Sequence, residues 1–157
     1  MKAREVAPKV DVAAVLAGAQ FIDAFAIDVE DRAFDARNAA KAMLGRSPRW
    51  IGALTGLRHF LVKPFGLKTS AQSEAIPRDT IGIFPILTET PDRLVAGFND
   101  KHLDFRLVVD VAMSDPGQRV TATTLVKTHN RLGRIYLAII LPFHRLIVPA
   151  MLRQIAA

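Results

Sequence analysis

Cysteine is absent from the 157-residue sequence, which excludes disulfides, iron–sulfur clusters and thiolate zinc sites. Acidic residues are absent after Asp115, where the only Lys and Arg residues are Arg119, Lys127, Arg131, Arg134, Arg145 and Arg153. A second acid-free interval lies between Asp35 and Glu74. The formal charge of +6 comes from that tail, because acids and bases balance up to Asp115. Fields of one sign attract anionic partners or membrane surfaces, and a solvated helix face produces the same pattern.

A secretory leader is not expected, since Met1 to Val10 carries Lys2, Arg4, Glu5 and Lys9 and no apolar run. The longest uncharged apolar stretch of the tail, Ile135 to Phe143, is about half of a membrane span. A soluble cytoplasmic protein is the expectation. Neither metal nor cofactor is expected. His59, His102, His129 and His144 show no HxxH or HxH spacing, and GxGxxG, P-loop and GxSxG motifs are missing. Nucleic acid is not an expected partner either, because no recognised reading motif accompanies the basic residues. No motif decides whether the protein is an enzyme.

Half of the residues are hydrophobic, enough for one domain with a substantial core. The expected division is an N-terminal extension over 1–20 and a single domain over 21–157. Asp23 to Val29 alternates, with Phe25, Ile27 and Val29 on one side and Ala24, Ala26 and Asp28 on the other, and reads as a strand. Asp31 is placed to cap a helix from Arg32 to Leu44, ended by Gly45. Ser47-Pro48 opens a second helix to about Val62, with Trp50, Leu54, Leu57 and Leu61 on one stripe.

Alternation then returns. Thr80 to Thr88, interrupted by Pro85, reads as an edge or bulged strand. Arg93 to Phe98, His102 to Met113 and Arg119 to Thr128 follow, separated by Asn99-Asp100 and Asp115-Pro116-Gly117 turns. In the longest strand Leu103, Phe105, Leu107, Val109, Val111 and Met113 alternate with His102, Asp104, Arg106 and Asp110. Asn130 caps a helix running to the end of the chain. Its broad apolar face is expected to hold Leu132, Tyr136, Ile139, Ile140, Phe143, Ile147, Ala150 and Met151. Arg131, Arg134, Arg145 and Arg153 fall opposite, with Pro142 and Pro149 beside them, where water can serve the freed carbonyls.

This order implies an α+β fold in which a curved antiparallel sheet wraps the long C-terminal helix, leaving an apolar pocket between them. The segment Arg134-Ile135-Tyr136-Leu137-Ala138-Ile139-Ile140-Leu141-Pro142-Phe143-His144-Arg145-Leu146-Ile147-Val148 resembles that of bacterial domain-of-unknown-function family 2867. Ser47-Pro48-Arg49-Trp50 and the strand around His102-Leu103-Asp104-Phe105-Arg106 resemble it too, so the likeness spans about 20 to 155. The resemblance implies the helix-grip fold of the START and polyketide-cyclase (SRPBCC) superfamily, whose members bind lipids, sterols or aromatic polyketides. It implies no assigned activity. That superfamily commonly has seven strands, against about five clear ones here.

A small hydrophobic ligand, lipid or aromatic, is the expected partner. Trp50, Leu54, Phe105, Leu107, Tyr136, Ile140 and His144 are the expected lining, the Tyr136 hydroxyl and His144 imidazole being its polar groups. A half-buried histidine bonded to backbone explains His144 equally. His102 and Asp104 suit a proton-transfer pair beside Arg106, and the solvent face of an amphipathic strand explains the same trio. A cavity enzyme of cyclase or isomerase type and a peripheral protein docking its basic helices on membrane are the alternatives. Ile135, Leu141 and Leu152, expected near the outer stripe, suit that membrane contact or a homodimer contact equally.

Overall fold

The structure is a computed structural model that describes residues 3–30, 33–44, 80–81, 84–99, 102–114 and 117–155. The helix expected over 48–62 lies outside the described residues, and with it Trp50 and Leu54.

Alternating sequence becomes one antiparallel sheet. Its strands are β1 (Arg4–Val6), β2 (Phe21–Val29), β3 (Thr80–Ile81), β4 (Phe84–Glu89), β5 (Arg93–Asn99), β6 (Leu103–Met113) and β7 (Gln118–Thr128). They lie in the order β1-β2-β7-β6-β5-β4-β3. Six form the main sheet, and the two-residue β3 adds a short hairpin on β4. The segment expected as one strand from Thr80 is thus divided in two, with Pro85 opposite Thr80 and a register shift between Ile86 and Thr88. Proline donates no ladder bond, so it sits where pairing is shortest. β1 and the one-turn helix α1 (Val12–Leu16) fall within residues 1–20, and both are joined to the sheet.

Parity assigns the two faces. Phe25, Ile27, Val29, Leu94, Ala96, Leu107, Val109, Val111, Val120 and Ala122 point to one side. There they meet Ala36, Ala39, Ala40 and Met43 of α2 (Ala36–Leu44) and Val148, Leu152 and Ile155 of α3 (Arg131–Ile155). Ile27, Met43, Leu94, Leu152 and Ile155 are fully buried, each contributing about 1.5–3 kcal/mol. On the other side α1 closes a smaller cluster of Leu16, Val95, Val108 and Leu125. The rest of that outer face carries ion pairs between direct cross-strand neighbours, Arg119 with Asp28 and Arg93 with Asp110.

Helix α2 begins at Ala36, four residues later than expected, and Asp35 is its cap. The Asp35 carboxylate accepts from the Asn38 amide at 2.8 Å and its carbonyl from Ala39 at 3.0 Å. The delay has a tertiary cause. The Phe34 amide donates to Gln118 Oε1 and its carbonyl accepts from Gln118 Nε2, which tethers this stretch to β7.

Helix α3 starts as expected, with Asn130 Oδ1 accepting from the Gly133 amide at 3.0 Å. It runs unbroken through Pro142 and Pro149 and packs on β2, β7 and α2. Its inward side differs from the expected one. Gly133, Val148, Leu152 and Ile155 are its buried residues, whereas Ile139 is 50% and Phe143 38% exposed. Leu152, expected near the outer stripe, is fully buried. The helix is turned by about a third of a turn from its own apolar stripe. Gly133 gives one reason. It lies so close to the His102 carbonyl that a Cβ would collide with that oxygen, so this helix face must meet β6.

Candidate functional site

Alternation along β2 puts Asp23 on the inner side with Phe21 and Phe25, a position where a carboxylate requires a partner. The partner comes from α3. His144 Nε2 stands 3.0 Å from both Asp23 oxygens, and the two side chains are only 13% and 8% exposed. A carboxylate in front of Nε2 assigns the proton to that nitrogen, which donates. Nδ1 then has no hydrogen-bond partner among the described residues.

The surroundings are aromatic and aliphatic. The Phe21 ring meets His144 edge-on at 5.8 Å and 83°, and Phe25 does so at 6.5 Å and 67°. Directly across the ladder from Asp23 is Thr124, whose Oγ1 is buried with no hydrogen-bond partner among the described residues. The imidazole is therefore oriented by a carboxylate from one side, held between rings, and placed in the same layer as an unpartnered hydroxyl. Such an arrangement can accept or donate one hydrogen bond, or move one proton, in otherwise apolar surroundings.

The register places the other expected lining residues. Leu107 continues the row Asp23–Thr124, and Phe105 continues the row Phe21–Val126. Both strand positions face the helix layer. Ile140 and Tyr136 precede His144 by one and two turns of α3, both half-buried. Between the anchor at Gly133 and the one at Val148, no α3 residue is fully buried.

His102 and Asp104, weighed above as a proton-transfer pair, each meet another partner. His102 is buried, its Nδ1 meeting the Asn130 side-chain amide at 2.6 Å. Asp104 instead faces His129 Nε2 at 3.0 Å. His102 precedes β6, which starts at Leu103, so strand alternation does not govern it. Arg106 is half-buried, donates to the Phe105 carbonyl at 2.9 Å, and has its pKa lowered by burial, against the pull of Asp104. These groups cap the helix end and brace the sheet rim.

Asp23 was legible but overlooked in the sequence. The parity that puts Phe25 inward puts Asp23 inward too, and a buried acid implies a basic or hydrogen-bonding partner.

On the outer face an open groove of 550 Å³ is lined by residues that include Val6, Lys9, Arg93, Asp110, Arg119 and Thr121. Its guanidinium groups are engaged. Arg93 Nη2 donates to Asp110 at 3.1 Å, and that carboxylate raises the Arg93 pKa. Arg119 Nε donates to Asp28 at 2.9 Å and, with Arg4, holds the Asp28 carboxyl below its usual range. No cluster of three metal-ligating side chains occurs among the described residues.

One family model matches the chain, described as "Protein of unknown function (DUF2867)", over residues 15–151. No curated protein and no solved structure matches.

Proposed function

This chain belongs to that family of unknown function, and we propose that it holds a small, largely apolar ligand between the inner sheet face and the middle of α3. The Asp23–His144 pair would fix the one polar group of that ligand. The observation that carries this reading is the buried carboxylate–imidazole pair inside an aromatic collar, with His144 Nδ1 and Thr124 Oγ1 both unpartnered among the described residues. A pair that only balanced charge would gain stability from satisfying every polar atom around it, whereas among the described residues His144 Nδ1 and the neighbouring Thr124 Oγ1 are left without a partner. Antiparallel strands under a long C-terminal helix agree with the helix-grip architecture, in which the space between sheet and helix is the ligand site. Phe105, Leu107, Tyr136 and Ile140 are the proposed apolar walls.

A second reading follows from the same geometry. An imidazole oriented by a carboxylate at one nitrogen and free at the other is the arrangement of a general base. His144 would then exchange a proton with the bound molecule, as in a cyclase or isomerase.

The test is native mass spectrometry of the purified full chain, followed by titration with 1-aminoanthracene, an apolar fluorophore with one amine. A co-purified small molecule, or saturable fluorescence enhancement, is expected. The folded double variant D23L/H144F, apolar at both positions, should lose preference for the amine over unsubstituted anthracene. Absence of any bound molecule and of any saturable probe binding sinks the ligand reading.

A further inference from the structure

The side of α3 turned away from the sheet presents a continuous apolar stripe. Ile135 is 56%, Ile139 50%, Phe143 38% and Leu146 64% exposed. At about 100° per residue these four occupy one quadrant, roughly opposite Gly133, Val148 and Ile155. Arg131 and Arg153 flank one edge of that stripe, and Arg145 and Arg134 lie further round the same side of the helix, all exposed. No acid follows Asp115 in the sequence to neutralise them.

We propose that this outer face of α3 docks lengthwise on an anionic lipid bilayer. Isolated exposed leucines need no explanation, but four large apolar side chains over three turns of one helix form a patch that water penalises. A bilayer interface accepts that patch at acyl level, and arginines at its edge reach back to lipid phosphates. The charge is of the sign an anionic leaflet attracts. A protein partner would need acids arranged to match the arginine edge, whereas an anionic bilayer offers negative charge along the whole helix.

The helix is also long and apolar enough to cross a membrane. Its sheet-side contacts argue for lying flat instead. Gly133 at one end and Val148, Leu152 and Ile155 at the other are buried on the sheet and α2 side, and His144 is bound to Asp23 between them. Spanning would strip all of these. Docking uses only the side that nothing described covers.

The experiment is co-sedimentation of the full chain with vesicles of phosphatidylcholine alone and with 30% phosphatidylglycerol, about that fraction being used to set a negative surface potential. Binding to the anionic vesicles only, weakened by 0.5 M salt, a roughly threefold shorter screening length than at low salt, is expected. I139E/L146E should abolish binding. R145E/R153E should weaken it by about tenfold or more. All four positions are exposed, so circular dichroism and the melting temperature should match wild type. Equal sedimentation of wild type and I139E/L146E, or no binding at any lipid composition, overturns the proposal. A concentration-dependent dimer that I139E/L146E converts to monomer, without lipid binding, also overturns it and makes the stripe a self-interface.

Discussion

His144 Nε2 and the Asp23 carboxylate meet at 3.0 Å although 121 positions separate them in the chain. The contact pins the middle of α3 to the second strand, and it is a strongly polar event on a largely apolar side of that helix. Removing either partner strands the other in a place without water.

Asp23→Ala and His144→Ala are each expected to cost about 3 kcal/mol. The double variant should cost less than their sum, with a coupling of about 1–3 kcal/mol by urea denaturation. Additive losses would mean the two groups are solvated independently.

The rotation of α3 predicts opposite outcomes at two large apolar residues. Leu152→Ala removes a fully buried side chain and should lower stability by about 2–5 kcal/mol. Ile139→Ala, at a half-exposed position, should stay within about 0.5 kcal/mol of wild type. Thermal unfolding of the two variants suffices, and the reverse ranking would place the apolar stripe against the sheet.

Thr124→Val exchanges the unpartnered hydroxyl for a methyl of similar size. In the ligand-free protein it should stabilise by about 1 kcal/mol, because a buried oxygen without a partner disappears. It should also weaken binding of a ligand whose polar group reaches the Asp23 layer. Thr123→Val, on the opposite face and equally unpartnered, serves as the control that changes stability but not binding.

The Asp28 carboxyl is lowered from 3.8, foremost by its hydrogen bond to Arg119. A depressed folded pKa contributes stability that is complete above the unfolded value and is lost as pH falls through the folded one. Arg119→Met should therefore be less stable than wild type at neutral pH, and the difference should vanish on acidification below pH 3.8. Both side chains are about 40% exposed, so solvent screening holds the effect under about 1 kcal/mol. Denaturation midpoints from pH 7 to pH 2.5, a range of roughly four units around the aspartate titration, check it.

Local pattern was enough to find β2, β5, β6, β7 and α3, because a period of two or a helical repeat over about seven or more residues admits few alternatives. Asn130 as the cap of α3 and the Gly117 turn were legible for the same local reason. Short elements were not. β1 has three residues and β3 two, and such lengths exist only because a neighbouring strand supplies their hydrogen bonds. The start of α2 depended on Gln118 gripping Phe34, a partner 84 positions away.

The amino-acid sequence by itself determined which stretches alternate, where the turns fall, and that a long basic-edged apolar helix ends the fold. Tertiary structure alone decided which side of that helix faces the sheet. Hydrophobic burial is nearly indifferent to rotation when most of a helix is apolar. The choice fell instead to directional constraints, the close approach at Gly133 and the bond between Asp23 and His144, which only a folded chain can bring together.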